Sequence, residues 1–260
     1  MWRCVAIFIF FSGMHGFVLA QTVTVETFKP LYTVKVRLVD KTSGQPAAGQ
    51  TAYVTVPGPV FELRTATSDK SGNATFLLKN LDQPRQLIFQ VDNLADSNVT
   101  FELDNPIAER FNTEKYSGRV RQVGDTLAFF GKADKEYLLD DYVRFPTMEE
   151  VLREFVAEVR VRRSRNRFRI EVLNTPFQNV FFDSEPLVLL DGVPVFDTNK
   201  LMEIDPLKIR LIQVVARKYY FGSAVFSGIV SLSSYDGDLA GYQLPHQAVV
   251  RDFNPETSIK

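Results

Sequence analysis

The 260-residue sequence predicts an all-β sandwich followed by an α+β domain. Three observations predict it. Up to about residue 104 the apolar residues recur with period two, as in half-buried strands, and clusters of turn residues separate the runs. From Thr147 onward one helical period enters and then alternates with further strands. The length, at ~150 residues per domain, suggests about two domains. Hydrophobic residues make up 45% and charged residues 23%, the proportions of a folded chain.

The charge balance narrows the function. Thirty Lys and Arg face 31 Asp and Glu, for a net charge of -1. That balance argues against a general nucleic-acid binder. One Cys excludes a disulfide scaffold and any Cys-rich metal site. Residues 1–20 read as a signal peptide. Arg3 supplies the positive start, Val5–Phe11 the apolar stretch, and Val18-Leu19-Ala20 the small residues before a cleavage site at Gln21. The apolar stretch is far shorter than the ~20 residues a spanning helix needs, and no later stretch approaches that length. The expected mature chain therefore has no Cys and one His, His246, in a polar segment after Pro245. Thiol nucleophiles, Cys–His pairs and His-cluster metal sites are excluded from it. Cys4 stands away from the cleavage site, so lipidation is not expected.

The first domain is expected over 21–104. Tyr32–Val39 alternates polar with aliphatic residues, and Asp40-Lys-Thr-Ser-Gly-Gln-Pro46 is a turn cluster. Thr51–Val56, Phe61–Thr67, Ala74–Leu78, Gln86–Val91 and Asn98–Leu103 continue the set, with a tight turn at Ser68–Asn73. Strands at this spacing with such turns indicate an antiparallel sandwich. The turn at Asp40…Gly44-Gln45-Pro46 and the segment Thr67-Ser-Asp-Lys-Ser-Gly-Asn-Ala-Thr-Phe76 resemble Ig-like modules of exported bacterial proteins. These include carboxypeptidase-regulatory-like, invasin-like and macroglobulin-like domains. No Cys-containing thioester motif accompanies them here. Asn73-Ala-Thr75 and Asn98-Val-Thr100 fit the glycosylation sequon, which carries no meaning in a bacterial protein.

Residues 105–146 read as a connecting segment, with weak strand character at Val123–Phe130 and an ambiguous Tyr137–Tyr142. The second domain is expected over 147–236. Thr147 and Glu150 form a T-x-x-E capping pattern, and Met148, Val151, Leu152, Phe155 and Val156 share one helical face. Strands follow at Phe168–Leu173, at Pro186–Val195 around an Asp191-Gly192 turn, at Ile209–Val215 and at Gly228–Ser233. Residues 237–260 read as a C-terminal tail.

Four segments in order resemble the plug domain of TonB-dependent outer-membrane receptors. They are Thr147–Leu152, Pro186-Leu-Val-Leu-Leu-Asp-Gly-Val-Pro-Val195, Ile204-Asp-Pro-Leu-Lys-Ile209 with Ile212–Val215, and Tyr220-Phe-Gly222 with Gly228-Ile-Val-Ser231. The resemblance implies a plug-like α+β fold over about residues 147–234. A receptor barrel of about 22 strands needs several hundred residues. About 25 residues follow Asp236, so a plug-like domain without a barrel is expected. Longer exported relatives place macroglobulin-like modules before a terminal plug-like domain. The resemblance therefore implies protein binding or scaffolding in the bacterial envelope, without catalysis. Implied partners are envelope proteins, such as an outer-membrane barrel or a macroglobulin-like protein. Two other readings stay open. One is an accessory of a TonB-linked transport system that handles a ligand; the other is a carboxylate-based hydrolase.

The candidate interaction residues are Arg160, Arg162, Arg163, Arg165 and Arg167, with Asp191, Gly192, Tyr220 and Phe221. The arginines belong to a basic run from Arg153 to Arg169. Such a run suits lipopolysaccharide phosphate or an acidic partner. It equally suits the solvated face of a hairpin whose other face is Val159, Val161, Phe168 and Ile170. Gln21–Glu26 reads either as a short TonB-binding strand or as the first strand of the sandwich. Asp191, Asp197, Asp205, Asp236 and Asp238 are oxygen donors of the kind calcium uses, but turn and cap chemistry accounts for Asp191-Gly192 and Asp205-Pro206. No catalytic residue, cofactor or metal is assigned.

Overall fold

The computed structural model describes residues 31–58, 61–79, 81–92, 98–110, 129–177, 180–222 and 224–259. The export segment, Gln21–Glu26 and most of Val123–Phe130 lie outside the described residues. The chain is mostly β. The first strands are β1 (Leu31–Asp40), β2 (Thr51–Val56), β3 (Glu62–Thr67), β4 (Asn73–Lys79), β5 (Arg85–Val91) and β6 (Val99–Arg110). Then come β7 (Lys135–Leu138), α1 (Met148–Phe155), β8 (Val159–Ser164), β9 (Arg167–Val172), β10 (Leu187–Leu190), β11 (Val193–Pro194) and α2 (Thr198–Met202). The long strands β12 (Ile209–Phe221) and β13 (Ala224–Ser234), β14 (Val249–Phe253) and α3 (Pro255–Ser258) complete it.

Alternation builds the first core. In β1 the side chains of Val34, Val36 and Leu38 are buried, while Lys35 and Arg37 reach solvent. Ala74, Phe76 and Leu78 do the same in β4. β4, β1 and β6 form an antiparallel sheet that faces Ala52, Val54, Leu87 and Phe89 of β2 and β5. Turn chemistry fixes the registers. Asp40 Oδ1 accepts from the amides of Thr42 and Ser43 (2.9 and 2.7 Å), and Asp69 Oδ1 from those of Ser71 and Asn73 (2.8 and 2.9 Å). Gly72 sits at φ +79°, and a Cβ there would lie 2.4 Å from the Leu38 carbonyl oxygen.

The second sheet of this sandwich has the order β14-β5-β2-β3. Its edge strand β14 comes from residues 237–260, read from sequence as a tail, and Phe253 of β14 is 1% exposed in the sandwich core. Beyond β14, α3 packs on β6, and Ile259 bridges Ala108 of β6. The C-terminal residues thus clasp both sheets of the sandwich.

A third sheet has the order β11-β10-β13-β12-β7. β10 runs parallel to β13, and β12 pairs antiparallel with β13. The strand that leads into Asp191-Gly192 therefore shares one sheet with the strands at Ile209 and Gly228. The described part of the connecting segment adds β7 to this sheet, paired with β12. One face of the sheet is covered by α1, α2 and the β8–β9 hairpin, around Met148, Val151, Leu152, Ile170, Leu190 and Ile212. Thr147 caps α1: its Oγ accepts from the Glu150 amide at 3.3 Å and donates to Glu150 Oε2 at 2.7 Å.

The other face packs on the sandwich. Tyr53 and Leu63 of the β14-β5-β2-β3 sheet meet Leu187, Leu189, Val215 and Ile229, with Phe130 between. The second sheet is therefore a middle layer, covered on both sides along β2 and β5, and two polar side chains on its outer face bond across the seam. Gln90 Nε2 donates to the Pro194 carbonyl at 3.1 Å, and Thr55 Oγ1 lies 3.4 Å from the Gly192 carbonyl.

Candidate functional site

The arginine run forms the β8–β9 hairpin, closed by Arg165 and Asn166 with Arg165 at φ +53°. Cross-strand pairs share a face, so Arg160, Arg162, Arg167 and Arg169 line one side with Glu171. Val159, Val161, Ile170 and Val172 lie on the other side and join the core. Glu171 is 6% exposed; its Oε2 accepts from Arg160 Nε at 2.8 Å, from Arg160 Nη2, and from Arg162 Nε at 3.1 Å. The Arg160 guanidinium also stacks 4.0 Å from the Phe181 ring centroid. Arg167 pairs with Glu185 at 2.7 Å, and Arg163 lies 5.1 Å from the centroid of Phe168. Arg165 and Arg169 have no carboxylate partner among the described residues. The candidate arginines thus divide into three held by carboxylates (Arg160, Arg162, Arg167) and two that are not (Arg163, Arg165).

Asp191 and Gly192 form a two-residue hairpin turn between β10 and β11, with φ of +48° and +84°. The Asp191 carboxylate accepts from the Ser234 amide (2.7 Å), the Ser234 hydroxyl (2.7 Å) and the Leu239 amide (2.9 Å). It ties the turn to the end of β13. Gly192 packs under Phe61 of the sandwich. Gly192 is buried at the seam, while Asp191 is half-buried and spends its carboxylate on anchoring the turn. Asp197, Asp205 and Asp238 accept from the amides of Asn199, Leu207 and Ala240. Among the described residues no three of His, Cys, Asp and Glu gather as a metal site.

Tyr220 and Phe221 lie on opposite faces of the β12–β13 hairpin. Phe221 packs inward on Phe129, with ring centroids 5.0 Å apart. Tyr220 is 70% exposed and pairs across the strands with Val225, itself 56% exposed.

Sequence reasoning missed a cleft at the seam. It has a volume of about 410 Å³ and is walled by Tyr53, Asp92, Pro186, Leu187, Val195, Phe196 and Phe226, with Thr51, Ser184, Glu185 and Ser227 among its polar groups. Tyr53 and Phe196 stand 5.2 Å apart at 60°. Tyr53 is 2% exposed, and its hydroxyl donates to Asp92 Oδ2 at 3.3 Å. Burial, aided by the Asp92 charge, pushes the Tyr53 hydroxyl above the usual tyrosine range, so it stays a donor. Asp92 sits at the cleft mouth, where partial desolvation raises its carboxyl against the opposing Tyr53 hydrogen bond. No local motif marks these residues. The one sequence signal is Tyr53, a large aromatic in the phase of β2 that a two-sheet sandwich would leave to solvent.

Compared with protein-family models, curated proteins and solved structures, the chain matches none.

Proposed function

We propose that this chain is a non-enzymatic, exported binding or scaffold protein of the bacterial cell envelope. In this reading an Ig-like sandwich carries a barrel-less plug-like domain, and the plug-like domain presents the surface that envelope proteins bind. The observation that carries the reading is the tip of the β12–β13 hairpin. It extends past the residues packed at the seam and holds an exposed cross-strand apolar pair, Tyr220 and Val225. Anchor residues of protein interfaces are enriched in Tyr, and exposed apolar pairs on rigid elements bind with little ordering cost. The seam supports the reading too, because a platform buried on both faces holds the hairpin in a fixed direction. Arg165 and Arg169, which no carboxylate holds among the described residues, add basic groups on the β8–β9 hairpin for an acidic partner. Among the described residues, no helix is long and apolar enough to cross a membrane.

The test is affinity capture from detergent-solubilised bacterial envelope. The unmodified chain is expected to retain an envelope protein, and the Tyr220→Ala, Val225→Ser double variant to lose most of it at unchanged fold stability. Capture of no envelope protein, or equal capture by the variant, would contradict the reading.

The cleft favours one second reading, an accessory that handles a ligand for a TonB-linked transport system. Its volume falls within the range of small-molecule sites, which gather at domain seams.

A further inference from the structure

We propose that the seam cleft is a binding site for an organic cation, an ammonium or guanidinium group carried on an apolar stem. The walls set the apolar requirement. Phe196 packs against Tyr53 as a tilted pair, ring centroids 5.2 Å apart at 60°, and Leu187, Val195 and Phe226 extend the same apolar surface. The charge follows from which acceptors are already used. Glu185 spends both oxygens inside the protein: Oε2 takes Arg167 at 2.7 Å and Oε1 takes the Thr198 hydroxyl at 3.4 Å. Asp92 spends Oδ2 on Tyr53. Among the described residues its Oδ1 has no hydrogen-bond partner, and none of them that lines the cleft is a Lys or Arg.

The class of ligand follows by comparison. An anion would meet a carboxylate and no cation. A neutral apolar molecule would displace water from the exposed Asp92 carboxylate and return no hydrogen bond to it. A cation on an apolar stem satisfies both the open carboxylate oxygen and the aromatic walls, which themselves favour cations over their faces. The site is also preformed. The Asp92 amide donates to the Thr51 carbonyl at 2.9 Å, and the hydroxyls of Ser184 and Ser227 are 2.6 Å apart across the far wall. A fixed acceptor loses little entropy on binding.

The chemistry has two natural sources, a free amine or a basic side chain of a peptide. Calorimetric titration of the full chain with three probes separates them: phenethylamine at neutral pH, its uncharged N-acetyl derivative, and the peptide acetyl-Leu-Lys-Leu-amide. At least one cationic probe is expected to bind saturably, and the N-acetyl derivative at least about tenfold more weakly, the equivalent of one lost charged hydrogen bond. Tighter binding of the peptide assigns the site to a protein segment; tighter binding of the amine assigns it to a small molecule. Asp92→Asn keeps the side-chain shape and is expected to weaken the cationic probe by a similar factor. Val225→Arg, which adds a cation at an exposed rim position, is expected to weaken it too. The proposal is overturned if no cationic probe saturates at millimolar concentration, if the N-acetyl derivative binds equally well, or if binding is unchanged in Asp92→Asn. Val225 is common to this cleft and to the exposed hairpin pair, but cation binding is measured on the isolated chain and can succeed where capture fails.

Discussion

Phe253→Ala is expected to destabilise the protein by about 3–5 kcal/mol, read as a lower midpoint in urea unfolding. Phe253 is 1% exposed and lies in the core formed by β1, β2, β4, β5 and β6, so truncation leaves a cavity among rigid neighbours. Its position enlarges the effect. Phe253 anchors β14, which pairs with β5 from Arg85 to Phe89 and covers that edge of the middle sheet. An uncovered edge exposes unpaired amides and carbonyls and invites pairing with another chain. The variant is therefore also expected to self-associate at concentrations where the unmodified chain stays monodisperse by light scattering. A loss below about 1 kcal/mol would mean that the C-terminal strand is not part of the sandwich.

Gly192→Ala is the second large effect, at about 2–5 kcal/mol. Two costs add. An alanine at φ +84° carries about 1–2 kcal/mol of backbone strain. Its Cβ would stand 2.1 Å from Cγ of Phe61, and overpacking of that kind costs about 1–3 kcal/mol. The two costs are separable. In a Phe61→Ala background the contact is gone and only the strain remains, so the double variant is expected to lose less than the sum of the two single losses. Strict additivity would show that the Asp191-Gly192 turn does not touch the sandwich.

Much of the sandwich was legible because its signals are local. Strands expected at 32–39, 51–56 and 61–67 appear as β1, β2 and β3 within a residue or two. The Asp40 and Asp69 side chains close their turns through hydrogen bonds to residues two to four positions on. The cap at Thr147 and the Asp191-Gly192 hairpin were readable for the same reason. What stayed hidden depends on distant partners. β14 is five residues with no clean alternation, and only its pairing with β5 makes it a strand. β7 gains its identity from β12 in the same way. The expected strand at 209–215 continues to Phe221, because its far half packs on Phe129, a residue about 90 positions upstream. The cleft joins Tyr53 and Asp92 to Phe196 and Phe226 and has no contiguous signature. One clue was present. Tyr53, Leu63 and Ile88 place large apolar groups in the outward phase of their strands, which makes sense only if a second layer covers them.

That middle layer fixes the seam, the cleft and the direction of the exposed hairpin. Thr55 tests it most directly. It lies on the outer face of β2, is 0% exposed, and faces the β10–β11 turn. In a Cys4→Ser background, thiol labelling of a Thr55→Cys variant is compared with that of Thr75→Cys, on the solvent face of β4. With that layer covered, the thiol at position 55 is expected to stay unreactive in the native state and to label only as the whole protein unfolds, while that at 75 labels at once. Immediate labelling at position 55, as fast as at 75, would contradict it.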